Sequence, residues 1–297
     1  LAKKGSRKNL KTEKSALVAE GGGMRGVFAA GVLDVFFEEK FDPFNIYIGV
    51  SAGACNLSSH LAGQYGRNRR LYTDQMTRDE FISIGKFLAG GHMMDLDWLW
   101  DIMAKEEPLD TRGAASNLSR KKKEFIIVAT SAATGEPMYL SPGPENMLDF
   151  LKASSSVPLL YRGFIEIDSV QATDGGVSDP IPVARAFEMG ASRIAVIRTR
   201  PSGYVKRPGL ETFISSRLLR RHPKLSLAIM KQAGTYGRSV EFIADPPPGV
   251  SVIEISPPRK LLSGRTTKDR MLLTADYETG RESGRNAVRT WREIFEQ

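Results

Sequence analysis

The chain has 297 residues, 42 Lys and Arg against 34 Asp and Glu, a net charge of +8 and one cysteine. Its length suffices for a sizeable core, and 41% hydrophobic with 26% charged residues is the balance of a soluble globular protein. No apolar run nears the ~20 residues of a membrane helix. The single cysteine excludes an internal disulfide and suits a reducing compartment, and no zinc-finger or RNA-binding aromatic pattern is present.

Basic residues cluster at Lys3–Lys14, Arg67–Arg70, Arg120–Lys123 and Arg217–Arg221. Each reads first as solvated surface. Together they favour an anionic partner, with a membrane surface ranked above nucleic acid. The expected place is the cytoplasm, with peripheral contact at the inner face of the membrane.

Taken in order, residues 1–14 read as a flexible basic arm without the apolar stretch of a signal peptide. Ser15–Glu20 reads as a buried strand, Gly21–Gly26 as a glycine loop, and Val27–Glu39 as a helix with Phe28, Val32, Val35 and Phe36 on one apolar face. Ile46–Ile48 is a short apolar run leading into Gly49-Val50-Ser51-Ala52-Gly53, and a helix follows. A helical, lid-like insertion is expected over about 64–112. Within it, Gly90–Trp100 reads either as a mobile lid over an apolar pocket or as an ordinary core helix. Glu124–Ala132 is a strong strand turning into a hairpin with Pro137–Leu140, and Asn146–Ser155 reads as helix. Phe164–Ile167 and Val170–Thr173 read as short strands leading to Asp174-Gly175-Gly176. A helix (Pro182–Met189), a strand (Ser192–Thr199), a basic helical stretch (Leu210–Val240), a last strand (Val250–Ile255) and a terminal helix (Lys268–Phe295) complete the chain. In that helix Gly280-x-x-x-Gly284 predicts close helix packing, with Arg281, Arg285, Arg289 and Arg292 in solvent. Strand–helix alternation predicts an α/β fold with a mainly parallel sheet. The expected units are the arm, a catalytic core over 15–205, and an extension over 206–297 packed on it.

Strand, sharp turn with Ser at its tip, and helix is the layout of a nucleophile elbow around Ser51. Gly49 and Gly53 suit a turn in which strand and helix approach closely. The alternative is a glycine-rich turn with a passive Ser. Gly21-x-Gly23-x-x-Gly26 also fits a dinucleotide fingerprint, which demands an acidic residue at the end of the next strand. That strand ends in Gly49-Val50-Ser51, so the nicotinamide reading fails. The same loop, Gly21, Gly22, Gly23, Met24, Arg25 and Gly26, suits an oxyanion hole of converging backbone N–H groups. Arg25 reads as pinning the loop through hydrogen bonds in preference to meeting a lipid phosphate. Cys55 reads as a small buried residue.

A serine nucleophile needs a base. His60 lies nine residues after Ser51, about 13 Å along the helix and on its opposite face. His92 sits in the lid-like stretch, and His222 at a helix start without a local motif. Asp174 is the better candidate, because Gly175 and Gly176 let the chain turn away and leave its carboxylate unobstructed. An ordinary Asp is a poor base near neutral pH, but a partly desolvated one beside a hydroxyl is competent. The bland reading of Asp174 is a turn or helix cap. Strand-preceded motifs in this order favour the joint catalytic reading over separate bland ones.

These motifs, with Ala153-Ser154-Ser155-Ser156-Val157-Pro158 and Asp174-Gly175-Gly176-Val177-Ser178-Asp179-Pro180-Ile181-Pro182, resemble the patatin-like phospholipase family over residues 15 to about 200. The resemblance is to bacterial members not fused to other domains. It implies a three-layer α/β/α sandwich, a Ser51–Asp174 dyad without His, an oxyanion hole from Gly21–Gly26, and lipid acyl hydrolysis on a lipid ester substrate. It implies no cofactor and no metal. Alternatives of other classes are a non-lipid carboxylesterase or thioesterase, and a catalytically silent lipid-binding protein. The region after about 205 matches the core motifs poorly and lends no functional residue.

Overall fold

Buried strands with apolar side chains on both faces require a layer of helices on each side. The computed structural model describes residues 13–158, 160, 161, 163–209, 214, 217 and 219–296. The elements are β1 (Lys14–Ala19), α1 (Val27–Glu38), β2 (Ile46–Val50), α2 (Ala52–Leu61), α3 (Arg67–Arg70), α4 (Ile84–Leu88), α5 (Leu96–Glu106), α6 (Thr111–Arg120), β3 (Glu124–Ser131), β4 (Pro137–Leu140), α7 (Met147–Ser155), β5 (Ile165–Ile167), β6 (Val170–Asp174), α8 (Val183–Glu188), β7 (Ala191–Ile197), α9 (Pro223–Ala244), β8 (Ser251–Ile255) and α10 (Arg270–Phe295).

The strands form one sheet in the order β5-β6-β3-β2-β1-β7-β8, with β4 also paired to β3. Neighbours from β3 to β8 run parallel, while β4, β5 and β6 pair antiparallel. Leu17, Ala19, Tyr47, Phe125 and Ile127 face one layer and meet Phe28, Leu57, Phe150 and Trp291 from α1, α2, α7 and α10. Ala16, Val18, Ile46, Ile48 and Val128 face the other and meet Val183, Ala186, Tyr236 and Ile243 from α8 and α9. The fold is a three-layer α/β sandwich with a mainly parallel centre.

Several expectations change in detail. The arm expected over 1–14 lies outside the described residues up to 12, and Lys14 already begins β1. The basic stretch expected over 210–240 lies partly outside them, and its described helix, α9, starts at Pro223. Helix α1 is buried on every side from Val27 to Phe36, because α10 covers the face turned away from the sheet. Two basic clusters are not free surface. Arg67 is buried and donates to the Glu107 carbonyl and to Ser59 Oγ, and Arg70 pairs with Glu107. Lys121 and Lys123 both pair with Asp42. Within α10, Arg281 is not solvated but holds Glu38 through two hydrogen bonds of 2.9 and 3.0 Å. Among the described residues no helix is long and apolar enough to cross a membrane.

Over Gly90–Trp100, α5 packs Leu96 and Leu99 with Met94, Phe81, Tyr72 and Tyr277 around the fully buried Met24 of the glycine loop. The segment therefore makes core contacts with one of the loops that the sequence marks as chemical.

Candidate active site

Sheet register brings the marked motifs together. The parallel ladder sets Ala19 opposite Gly49 and Val50 opposite Val128. One residue further along β3, Ala129 pairs with Asp174 of the antiparallel β6. Thus β3 passes from β2 to β6 within one step, and the carboxyl ends of β2 and β6 meet head to head. Contacts at the turns agree: a Cβ on Gly176 would stand 3.8 Å from Val50 Cγ1, and one on Gly175 would stand 2.6 Å from the Val128 carbonyl carbon.

Ser51 sits at this meeting point with φ 53° and ψ −127°, a region that costs a non-glycine residue of order 1–3 kcal/mol. The turn is held from three sides. Cβ atoms at Gly49 and Gly53 would come within 2.5 Å of Ala54 Cα and 2.7 Å of the Glu20 carbonyl oxygen. The Ser51 N–H donates to Ser154 Oγ at 2.8 Å, and that hydroxyl donates to the Val128 carbonyl at 2.6 Å. Both Ser51 and Asp174 are only 6% exposed.

Asp174 Oδ1 accepts the Gly176 N–H at 2.7 Å, as a cap of the short turn that follows, while Oδ2 is buried without a hydrogen-bond partner. Burial raises the Asp174 carboxyl above the usual range. The Ser51 hydroxyl opposes this most, followed by the Gly176 N–H and the positive charges of Arg265 and Lys206. The hydroxyl lies near enough to stabilise the charge without meeting full hydrogen-bond geometry. Gln232 of α9 donates to the Gly176 carbonyl and braces the same turn.

The glycine loop lies alongside. A Cβ on Gly21 would stand 2.9 Å from Ser51 Cβ, and one on Gly26 2.9 Å from Ala52 Cβ. The loop's donors are not equivalent. Met24 N–H is spent on the Arg265 carbonyl at 3.1 Å, and Arg25 N–H makes a long 3.4 Å contact with the Gly22 carbonyl. The Gly22 and Gly23 N–H groups make no hydrogen bond among the described residues. Arg25 does not pin the loop as expected: its guanidinium makes no hydrogen bond among the described residues, and its buried Nε is unpartnered.

The three histidines sit elsewhere. Burial pushes His60 down to about 4, and its ring packs 6.4 Å from that of Tyr47. His92 stacks on Tyr161 at 4.3 Å, and His222 packs 4.7 Å from Phe164 at the start of α9. Cys55 is shielded, with its sulfur 3.6 Å from Ser155 Oγ.

Residues 17–187 match the family model described as patatin-like phospholipase. The chain belongs to the patatin-like phospholipase family. Residues 222–296 match a second model, a domain of unknown function, DUF6363. The chain is 37% identical over 279 residues to the uncharacterized protein YjjU of Escherichia coli K12, covering 93% of this chain and 77% of that protein. Among solved structures it is similar to VipD from Legionella pneumophila, at 13% identity and TM-score 0.44 over 94% of this chain and 67% of VipD. It is also similar to human GIVD cytosolic phospholipase A2, at 12% identity and TM-score 0.49 over 94% of this chain and 62% of that one. The patatin-like assignment rests on the family model, which covers more than half of the chain.

Three residues that touch the candidate site carried no role in the sequence. Ser154 stood inside a serine-rich run, Gln232 on an unmarked helix, and Arg265 in a region that matches no core motif. Only Ser154 had a signal, its motif. Ser154→Ala would strand both the Ser51 N–H and the Val128 carbonyl, each buried. The expected cost is about 1–3 kcal/mol of stability, with slower reaction of Ser51 towards an acylating probe. Chemical denaturation checks the first, and a Ser154→Ala melt matching the parent would show that the bond carries nothing.

Proposed function

We propose that the protein is a serine acyl hydrolase cleaving fatty-acyl esters of lipids, phospholipids included. The observation carrying this reading is that Ser51, on its strained elbow, faces a buried carboxyl with one oxygen unpartnered, Asp174 Oδ2. Ser51 Oγ attacks the ester carbonyl while Asp174 accepts the hydroxyl proton. Desolvation makes Asp174 a better base than an exposed carboxylate. The carbonyl oxygen gathers charge against the unspent N–H groups of Gly22 and Gly23 and the first N–H of α2, at Ala52. The intermediate collapses, Asp174 returns its proton to the departing alkoxide, and the fatty acyl group stays on Ser51. Water then attacks the acyl carbon as Asp174 takes its proton; the second intermediate breaks its bond to Ser51 Oγ, Asp174 returns the proton to that oxygen, and the fatty acid leaves. Of the loop residues, Gly21 and Gly26 supply close approach, Met24 packing, and Gly22 and Gly23 donors. Loss of those donors is expected to cost ~10²–10³ in rate.

The test is labelling with a fluorophosphonate ester followed by peptide mass mapping. The expected result is one adduct on Ser51, absent in Ser51→Ala. A folded protein that takes no label, with or without lipid vesicles, would overturn the hydrolase reading and favour the silent lipid-binding alternative.

A further inference from the structure

Residues 212–240 carry six Lys and Arg and no Asp or Glu. Helix α9 sorts its part of this stretch by face. Leu225, Ile229, Tyr236 and Ile243 recur at helical spacing and are buried, the first two against Ala132 and Val177. Lys224, Leu227, Met230, Lys231 and Arg238 fall on the opposite face and are exposed. Leu227 and Met230 are 48% and 56% exposed. Just before the helix, Phe164, Ile214 and Leu219 line an open groove of about 650 Å³ together with Arg217, Arg220 and Arg221. Large apolar side chains thus stand in water with cations between them, and a contiguous surface of that kind marks an interaction site.

These cations differ from those of the other basic clusters. Arg70, Lys121 and Lys123 are held by Glu107 and Asp42. Arg217, Arg220, Arg221, Lys224 and Lys231 make no ion pair among the described residues.

The surface also lies at the catalytic end of the sheet. Gln232 donates to the Gly176 carbonyl, beside Asp174. Eight residues earlier, Lys224 meets the turn after β3: a Cβ on Gly135 would stand 2.9 Å from its carbonyl carbon. Eight helical residues span about 12 Å. Strand β3 gives the same measure, since Val128 pairs with Val50, next to Ser51, while Ala132 meets Leu225 and Ile229. Four strand residues rise about 13 Å. The first turns of α9 therefore project beyond the level of Ser51, past the carboxyl edge of the sheet at which the serine sits.

We propose that the exposed face of α9, with Arg217, Arg220 and Arg221 before it, docks the protein on an anionic lipid bilayer. The cations meet the lipid phosphates, and Ile214, Leu227 and Met230 enter the boundary with the acyl chains. A nucleic acid would use the cations but leave these three side chains in water. Docking in this way turns the Ser51 end of the sheet towards the lipid. The docking stands on the surface itself, and only its use in a reaction rests on the hydrolase reading. It gives the DUF6363 region, through α9, the task of bringing the site to a membrane.

The test sediments the full chain with vesicles of phosphatidylcholine alone, or of an equal mixture with phosphatidylglycerol. Binding to the mixed vesicles should be at least about tenfold tighter and should weaken with added salt. Arg217→Gln, Arg220→Gln and Arg221→Gln together should weaken it roughly a hundredfold. Leu227→Ser with Met230→Ser, which keeps every charge, should weaken it roughly tenfold. Arg285→Gln with Arg289→Gln, exposed on α10 in the opposite layer, should leave it unchanged. Each substituted side chain is exposed, so every variant should melt with the parent. Hydrolysis of a soluble short-chain ester should be equal in all of them. A parent that binds vesicles without cleaving any ester would sink the hydrolase reading and leave the docking surface in place. Equal binding of neutral and mixed vesicles, or binding that survives both surface variants, would overturn the proposal. So would a DNA duplex that binds more tightly than the mixed vesicles, is lost with the three arginines and ignores Leu227→Ser with Met230→Ser; the surface would then belong to a nucleic acid.

Discussion

Asp174→Asn is expected to abolish ester hydrolysis and Ser51 labelling, with a loss of ~10³–10⁴ in rate, while melting at a higher temperature than the parent at pH 8. Both effects come from the same burial. Asn can still accept the Gly176 N–H through its Oδ1, so the cap on the turn survives. Its amide nitrogen stands where the unpartnered Oδ2 was, and it offers Ser51 a donor where the mechanism needs an acceptor. The serine then keeps its proton.

The sign of the stability change follows from linkage. The folded-state affinity of Asp174 for a proton is raised, chiefly by burial. A raised group contributes fully below its unfolded pKa and loses that contribution as pH rises through its folded pKa. At pH 8 the parent therefore holds a desolvated carboxylate at a cost, and the variant holds none. The difference in melting temperature between variant and parent should be largest at alkaline pH and should close as the pH falls into the acid range. Retained hydrolysis in a folded Asp174→Asn protein would sink the dyad and return attention to His222. Equal melts at pH 8 would mean that water reaches the carboxylate in the free protein.

The layers, the strands and the two chemical turns were legible because they rest on local patterns: buried apolar runs, and glycines where backbones touch. The Gly-x-Ser-x-Gly pentapeptide announced an elbow because both glycines face backbone atoms of neighbouring elements. The passage of β3 from β2 to β6 was not legible, since register between distant strands leaves no local mark, yet it brings Asp174 to Ser51. The role of Arg25 was misread for a related reason. Its charge is visible in sequence, but only folding buries its guanidinium and leaves Nε without a hydrogen-bond partner. Arg67, Lys121, Lys123 and Arg281 erred the other way. They looked like solvated surface and are tied to Glu107, Asp42 and Glu38.

The second large effect is expected at Gly280, far from the chemistry in sequence. Gly280→Val should destabilise the protein by about 3 kcal/mol, a drop of roughly 6–12 °C in melting temperature for a chain of this size. A Cβ there would stand 2.9 Å from the carbonyl carbon of Phe28 and 3.1 Å from its Cα. These are backbone atoms of a helix that cannot swing aside as a side chain can. Gly284 approaches Val32 at 3.1 Å, and Gly31 on α1 returns the contact, 2.9 Å from Arg281 N. The two helices thus touch backbone to backbone along their length, and Tyr277 and Arg281 lock the seam through Asp34 and Glu38. Forcing α10 outward must also move α1, whose first residue follows Gly26. Labelling of Ser51 should therefore slow well below the new melting temperature. Gly237→Ala on α9 is the control, since nothing lies within 4 Å of its Cβ position, and it should gain up to about 1 kcal/mol. If Gly280→Val melted with the parent, the α1–α10 spacing would be free to relax. The C-terminal helix would then be a cover over the core, without a hand in setting the glycine loop.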